Sequence, residues 1–224
     1  MSKLNHAEKM EFFKNGYIII RNLIPKDLLS RALKTINIKI GNAASSCSSD
    51  LEEFRPDSQC YHPDIVDLLC KSSIYNILND LIGNGKVGKP SSAQVAVRFP
   101  TLSTRSDSWH IDGENEFLPF NLLVGISLSD QKPGSGCLFG YPGSHFKVQK
   151  YFPILKILDL NNAFEIVLNA GDVVLMHQMT AHYAGCNLSS EIRYQIYFRI
   201  WHTELDKHLS IIRRIESYQP IREV

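Results

Sequence analysis

The chain has almost no charge imbalance: over 224 residues, 24 lysines and arginines face 23 aspartates and glutamates, a formal net charge of +1. Without a basic cluster there is no electrostatic footprint of a general nucleic-acid binder. No apolar run approaches the ~20 residues of a membrane span, and the most tempting stretch, Gly16 to Ile20, is far shorter. Met1-Ser2-Lys3-Leu4-Asn5-His6 has no apolar core of a signal peptide, and Ile221-Arg222-Glu223-Val224 is not a Ser-Lys-Leu peroxisomal address. Cysteine is sparse and irregular: Cys47, Cys60, Cys70, Cys137 and Cys186 form no Cys-x-x-Cys pair, which excludes a disulfide framework or zinc ribbon and leaves reduced thiols. Walker-type loops and Gly-x-Ser-x-Gly elbows are missing as well. These absences lead to the expectation of a cytoplasmic protein that binds neither nucleic acid nor membrane.

What is present is ordinary globular composition, 44% hydrophobic and 21% charged. The length suits a single domain over residues 1–224, divided into a helical part (1–90), a strand-rich part (91–202) and a C-terminal extension (203–224). Asn15-Gly16 closes a helix over residues 5–15, and Tyr17-Ile18-Ile19-Ile20 follows as a buried strand. Pro25 opens a second helix whose apolar face is Leu28, Leu29, Ala32, Leu33, Ile36 and Ile40. The Ser-, Asn- and Asp-rich residues 41–60 read as a long mobile loop. Pro63 opens a third helix with the stripe Val66, Leu69, Ile74, Ile77, Leu78 and Leu81, ending at Gly83. After Pro90 the rhythm turns strand-like, with strands expected at Ala93–Phe99, Asn121–Ser129, Gly136–Tyr141, Glu165–Leu168, Asp172–His177 and Ile192–His202. Helices followed by many short strands predict an α+β, mainly β domain: a two-sheet barrel or sandwich with helices on one outer face. Gly83-Asn84-Gly85-Lys86-Val87-Gly88 spells a dinucleotide fingerprint, but a helix precedes it and a strand follows, the reverse of what a pyrophosphate site needs.

Two His-x-Asp triplets occur, His62-Pro63-Asp64 and His110-Ile111-Asp112. Residues i and i+2 of an extended segment point the same way, so one metal can take both side chains. Pro63 spoils the first triplet by starting a helix, which leaves His62 and Asp64 a capping role. His110 and Asp112 with a second histidine would make the two-histidine, one-carboxylate facial triad of non-haem Fe(II) oxygenases. His182 is the natural third ligand, and eleven residues later Arg193 can clamp a carboxylate bidentately. His177 reads as structural, and His145 as a loop residue near the mouth.

Four ordered segments, Trp109-His110-Ile111-Asp112, Gly136 to His145, Ala170 to His177 and His182 to Arg193, resemble the phytanoyl-CoA dioxygenase family of Fe(II)/2-oxoglutarate oxygenases. Gly16 to Pro25 is similar to the family's N-terminal start. The resemblance implies a double-stranded β-helix, a jelly-roll or cupin-like barrel with N-terminal helices packed on one sheet. It implies Fe(II) held by His110, Asp112 and His182, and 2-oxoglutarate gripped by Arg193 with Gln94 as a further contact. With O2, such a site releases succinate and CO2 and hydroxylates a small molecule. Relatives that halogenate have a small residue in place of Asp112, so the carboxylate points to hydroxylation. The chain departs from the family at Ala184, where many relatives carry serine, and at Gly125, where many carry an aromatic.

Strand parity then bears on substrate. With Arg193 facing inward, Gln195, Tyr197 and Arg199 follow it, while Ile192, Tyr194, Ile196, Phe198 and Ile200 face the helices. Gln94 inward carries Arg98 inward too, so Arg98 suits an anionic substrate or neutralises a buried acid. Trp109 is a candidate substrate contact or a packing residue. Desaturation or ring closure in place of hydroxylation, and a catalytically silent ligand-binding member, are the competing readings.

Overall fold

A computed structural model describes residues 3–44, 53–54, 62–104, 108–113, 121–147 and 159–204. The first helix, α1 (His6–Asn15), starts in a capping box between Asn5 and Glu8 and stops at Gly16, whose φ of 78° is open to glycine without strain. Strand β1 (Tyr17–Ile20) and helix α2 (Lys26–Ala44) follow, and α2 buries Leu28, Leu29, Ala32 and Ile36 of its expected stripe. The helix extends into the stretch expected to be a loop, and Glu53–Phe54 form a short strand, β2; the rest of 41–60 lies outside the described residues.

The third expected helix is two. Strand-like backbone at His62 leads into α3 (Pro63–Cys70), the imidazole Nδ1 accepting the Asp64 amide, so that triplet is a cap. Helix α4 (Ile74–Ile82) follows after a break, and α3 buries Ile65, Leu68 and Leu69 rather than Val66. Strand β3 (Val87–Arg98) begins before Pro90, which fits because the register of β3 shifts on both sides of it.

The remaining strands are β4 (Asn121–Ser127), β5 (Leu138–Gly140), β6 (Phe164–Ile166), β7 (Val173–His177), β8 (His182–Ala184) and β9 (Arg193–His202). They form a six-stranded antiparallel sheet in the order β1-β7-β4-β9-β3-β2 and a three-stranded antiparallel sheet in the order β6-β5-β8. The outer face of the large sheet (Val95, Val97, Val124, Ile196, Phe198, Ile200) packs against Leu28, Ile36, Leu68 and Ile77 of the helices. Its inner face meets the small sheet through Ala96, Leu123, Met176 and Tyr197 on one side and Leu138 and Ile166 on the other. This is a jelly roll of two facing sheets with helices against one of them, not a closed ring of hydrogen-bonded strands. No helix among the described residues is long and apolar enough to cross a membrane.

Candidate metal centre

The backbone brings His110 and His182 together before their side chains matter. Between the segment 108–113 and β8 they form an antiparallel bridge, His110 N donating to His182 O at 3.0 Å and His182 N to His110 O at 2.9 Å. The imidazole centroids are then 4.4 Å apart. Two residues on, the amides of Asp112 and Gly113 both donate to Gln178 O at 3.0 Å; the chain bends at Asp112 rather than running on as a strand, and these bonds fix the bend beside the turn before β8. One ligand atom each from His110, Asp112 and His182 lies within 4.8 Å of the others.

The protonation pattern fits a cation. His110 Nδ1 lies 2.8 Å from Ser108 O, and His182 Nδ1 lies 2.8 Å from Thr180 O. A carbonyl can only accept, so each Nδ1 carries the proton and each Nε2 presents a lone pair, the tautomer of a metal ligand. Burial pushes the His182 imidazole below its ordinary range, against the pull of the nearby Asp112 carboxylate, and keeps it neutral. Asp112 Oδ1 accepts from Arg199 Nη2 at 3.1 Å, while Oδ2 is buried with no hydrogen-bond partner among the described residues, 4.0 Å from His182 Nε2. A buried carboxylate oxygen left without a donor is costly unless something cationic binds it. An oxygen and two imidazole nitrogens on one side suit Fe(II).

Strand β9 supplies the opposite wall. Arg193 is 1% exposed, and its Nε donates to Gly136 O at 2.8 Å while Nη1 and Nη2 reach Ala96 O and the Tyr197 hydroxyl, each at 3.5 Å. The parity expected of β9 holds: Arg193, Tyr197 and Arg199 line the pocket, and Ile196, Phe198 and Ile200 lie in the helix-facing core. Gln195 also turns inward but is buried between the sheets beside Gln131. On β3, Gln94 and Arg98 line the same pocket, in register with Tyr197 and Arg193 respectively.

Several expectations change in detail. Trp109 packs on Tyr183, centroids 4.6 Å apart, and lies outside the pocket lining. His145 sits away from the mouth, its Nε2 2.9 Å from Phe13 O at the end of α1 and its ring 5.4 Å from that of His177. His177 accepts the Met179 amide on Nδ1, a structural contact in the turn before β8. Gly125 stands in register with Tyr197, and a Cβ there would meet Tyr197 Cε1 at 3.0 Å and Val174 Cγ1 at 2.8 Å, so the ring across the sheet fills the space a side chain would need. Ala184 lines the pocket. The residues that sequence reasoning passed over are Tyr197 and Arg199; parity turned both inward, but only the Asp112 contact gives Arg199 a task.

Residues 12–194 match the sequence profile of the phytanoyl-CoA dioxygenase (PhyH) family. A probable phytanoyl-CoA dioxygenase of Caenorhabditis elegans is 21% identical over an alignment covering 92% of this chain and 78% of the relative. Among solved structures, the non-heme alpha ketoglutarate dependent carbocyclase SnoK from nogalamycin biosynthesis superposes with a TM-score of 0.70 at 20% identity, covering 93% of this chain and 90% of that one. The epimerase SnoN in complex with Fe3+, alpha ketoglutarate and nogalamycin RO gives 0.71 at 17% identity, with 88% and 82% covered.

Proposed function

The chain belongs to the phytanoyl-CoA dioxygenase family, and on that premise we propose that it is an Fe(II)- and 2-oxoglutarate-dependent oxygenase hydroxylating a small polar or anionic molecule, with release of succinate and CO2. The observation that carries this reading is the His110, Asp112 and His182 cluster, with both imidazoles fixed in the ligand tautomer and Asp112 Oδ2 left without a donor among the described residues. The two Nε2 atoms and Oδ2 would hold the iron. Arg193 would grip the far carboxylate of 2-oxoglutarate, its guanidinium already oriented by Gly136 O and Tyr197. Gln94, on the neighbouring strand, would contact the same molecule. Iron, 2-oxoglutarate and O2 supply the oxidising power; the chain supplies orientation and a pocket partly closed to water. Among the described residues Arg98, Arg193 and Arg199 all line the pocket, and this concentration of guanidiniums favours an anionic substrate. Ring closure is the second reading for the outcome, supported by the likeness to SnoK.

The test is spectroscopic. Adding Fe(II) and then 2-oxoglutarate to metal-free protein without oxygen is expected to give a visible metal-to-ligand charge-transfer band that His182→Ala abolishes. A folded wild-type protein with no band would overturn the assignment and leave a silent binding protein.

A further inference from the structure

A carboxylate can meet a metal through one oxygen or through both, and the choice decides how many positions remain for other molecules. In the cluster of His110, Asp112 and His182 that choice is made by a fourth residue. Arg199 lies on β9 in register with Leu123 of β4, and its side chain is about one third exposed (35%). Its Nη2 donates to Asp112 Oδ1 at 3.1 Å, whereas Oδ2 is buried, has no hydrogen-bond partner among the described residues and is turned toward His182. The two oxygens of one carboxylate are therefore assigned to different partners. We propose that Arg199 is a positioning residue that holds Asp112 as a one-oxygen ligand, so that the cluster spends three positions on protein and leaves the rest for co-substrate and oxygen. This inference rests on the iron reading above.

Three features of the chain make the arrangement rigid. The backbone on both sides of the contact is fixed, the Asp112 amide by Gln178 O and Arg199 by hydrogen-bonded strands on both its edges. The guanidinium is planar and permanently charged, so its bond to the Oδ1 carboxylate oxygen is charge-assisted. The same strand carries Arg193 six residues earlier on the same face, so one rigid element sets both the metal's carboxylate ligand and the guanidinium at the opposite wall. Loss of an outer partner of this kind typically lowers metal affinity about 10- to 100-fold.

The experiment compares wild type, Arg199→Gln and Arg199→Lys as metal-free proteins titrated with Fe(II) without oxygen against a chromogenic ferrous chelator. The charge-transfer band is then recorded with 2-oxoglutarate. Arg199→Gln is expected to bind Fe(II) about 10-fold or more weakly and to shift the band, because Asp112 becomes able to offer both oxygens. Arg199→Lys, which keeps a cation within reach of Oδ1, is expected to recover most of the affinity. Should Arg199→Gln fail to fold, Arg199→Met, which keeps the aliphatic stem, takes its place. Unchanged iron affinity and an unchanged band in the neutral variant overturn the inference while leaving the oxygenase reading intact, even if the KM of a substrate rises. No band in wild type overturns both.

Discussion

Gly136 is where two buried guanidiniums meet. Its φ of 80° belongs to glycine, its carbonyl accepts Arg193 Nε at 2.8 Å, and a Cβ would press on Arg98 Cδ at 3.0 Å. Arg98 and Arg193 are register partners on β3 and β9, 7% and 1% exposed, so two positive charges share one end of the pocket. If Arg98 serves the substrate, Arg98→Gln leaves the 2-oxoglutarate dependence of the charge-transfer band within about threefold and raises the KM of an anionic substrate about tenfold, the equivalent of ~1.4 kcal/mol. A titration of the band in the variant checks the first half, and a marked loss there would reassign Arg98 to the co-substrate. At this scale the sequence is informative where the chemistry is local. His110 and Asp112 are legible because ligands two residues apart need no distant pairing to bring them together, although the chain bends at Asp112 instead of staying extended. Arg199 is not, because its partner is 87 residues away and is chosen by the pairing of β9.

The turn entering β7 shows how an element is anchored. Asp172 is 2% exposed; its Oδ1 accepts the Asn22 amide at 2.8 Å, and its Oδ2 accepts the Asn169 amide at 2.8 Å and Arg21 Nη1 at 2.6 Å. One carboxylate thus ties the turn after β1 to the start of β7 and secures the edge pair of the large sheet. Asp172→Ala takes the acceptor from the part-buried Asn22 and Asn169 amides and from Arg21, and is expected to cost about 1–3 kcal/mol. Urea denaturation measures the loss, and the charge-transfer band of the folded fraction should persist, since Asp172 is not part of the metal cluster. Element types were readable from periodicity, but two features were not. The stripe Val66 to Leu81 runs across a break, where the Ser72 hydroxyl bonds to Leu69 O and receives the Ile74 amide, each at 3.4 Å, offering the backbone a local alternative to helix. Strand β8, only His182–Ala184, carries no apolar alternation of its own and exists because β5 pairs with it.

For the whole molecule, proton uptake links pH to stability. Burial first, and His145 nearby second, push the His177 imidazole from 6.5 down to about 4. The unfolded chain therefore binds this proton more readily than the folded one, and stability present above pH 6.5 is lost as pH falls toward 4. By pH 5 the loss from this residue is about 2 kcal/mol. His177→Asn should show that much less acid sensitivity than wild type in urea midpoints taken at pH 7.5 and 5.

The order of the large sheet has a consequence for synthesis. Strand β9 is the last of the described strands in the chain, yet it lies between β3 and β4, and β1 pairs with β7 about 150 residues later. A growing polypeptide therefore carries a sheet with a missing middle. The apolar faces of β3 and β4 wait for Ile196, Phe198 and Ile200, and the helices made first have no finished surface to cover. Folding of such a topology is dominated by distant pairings and is slow, with both gap edges open to wrong partners until β9 leaves the ribosome. The strand that completes the pocket is also the one that releases the nascent chain from its most aggregation-prone state.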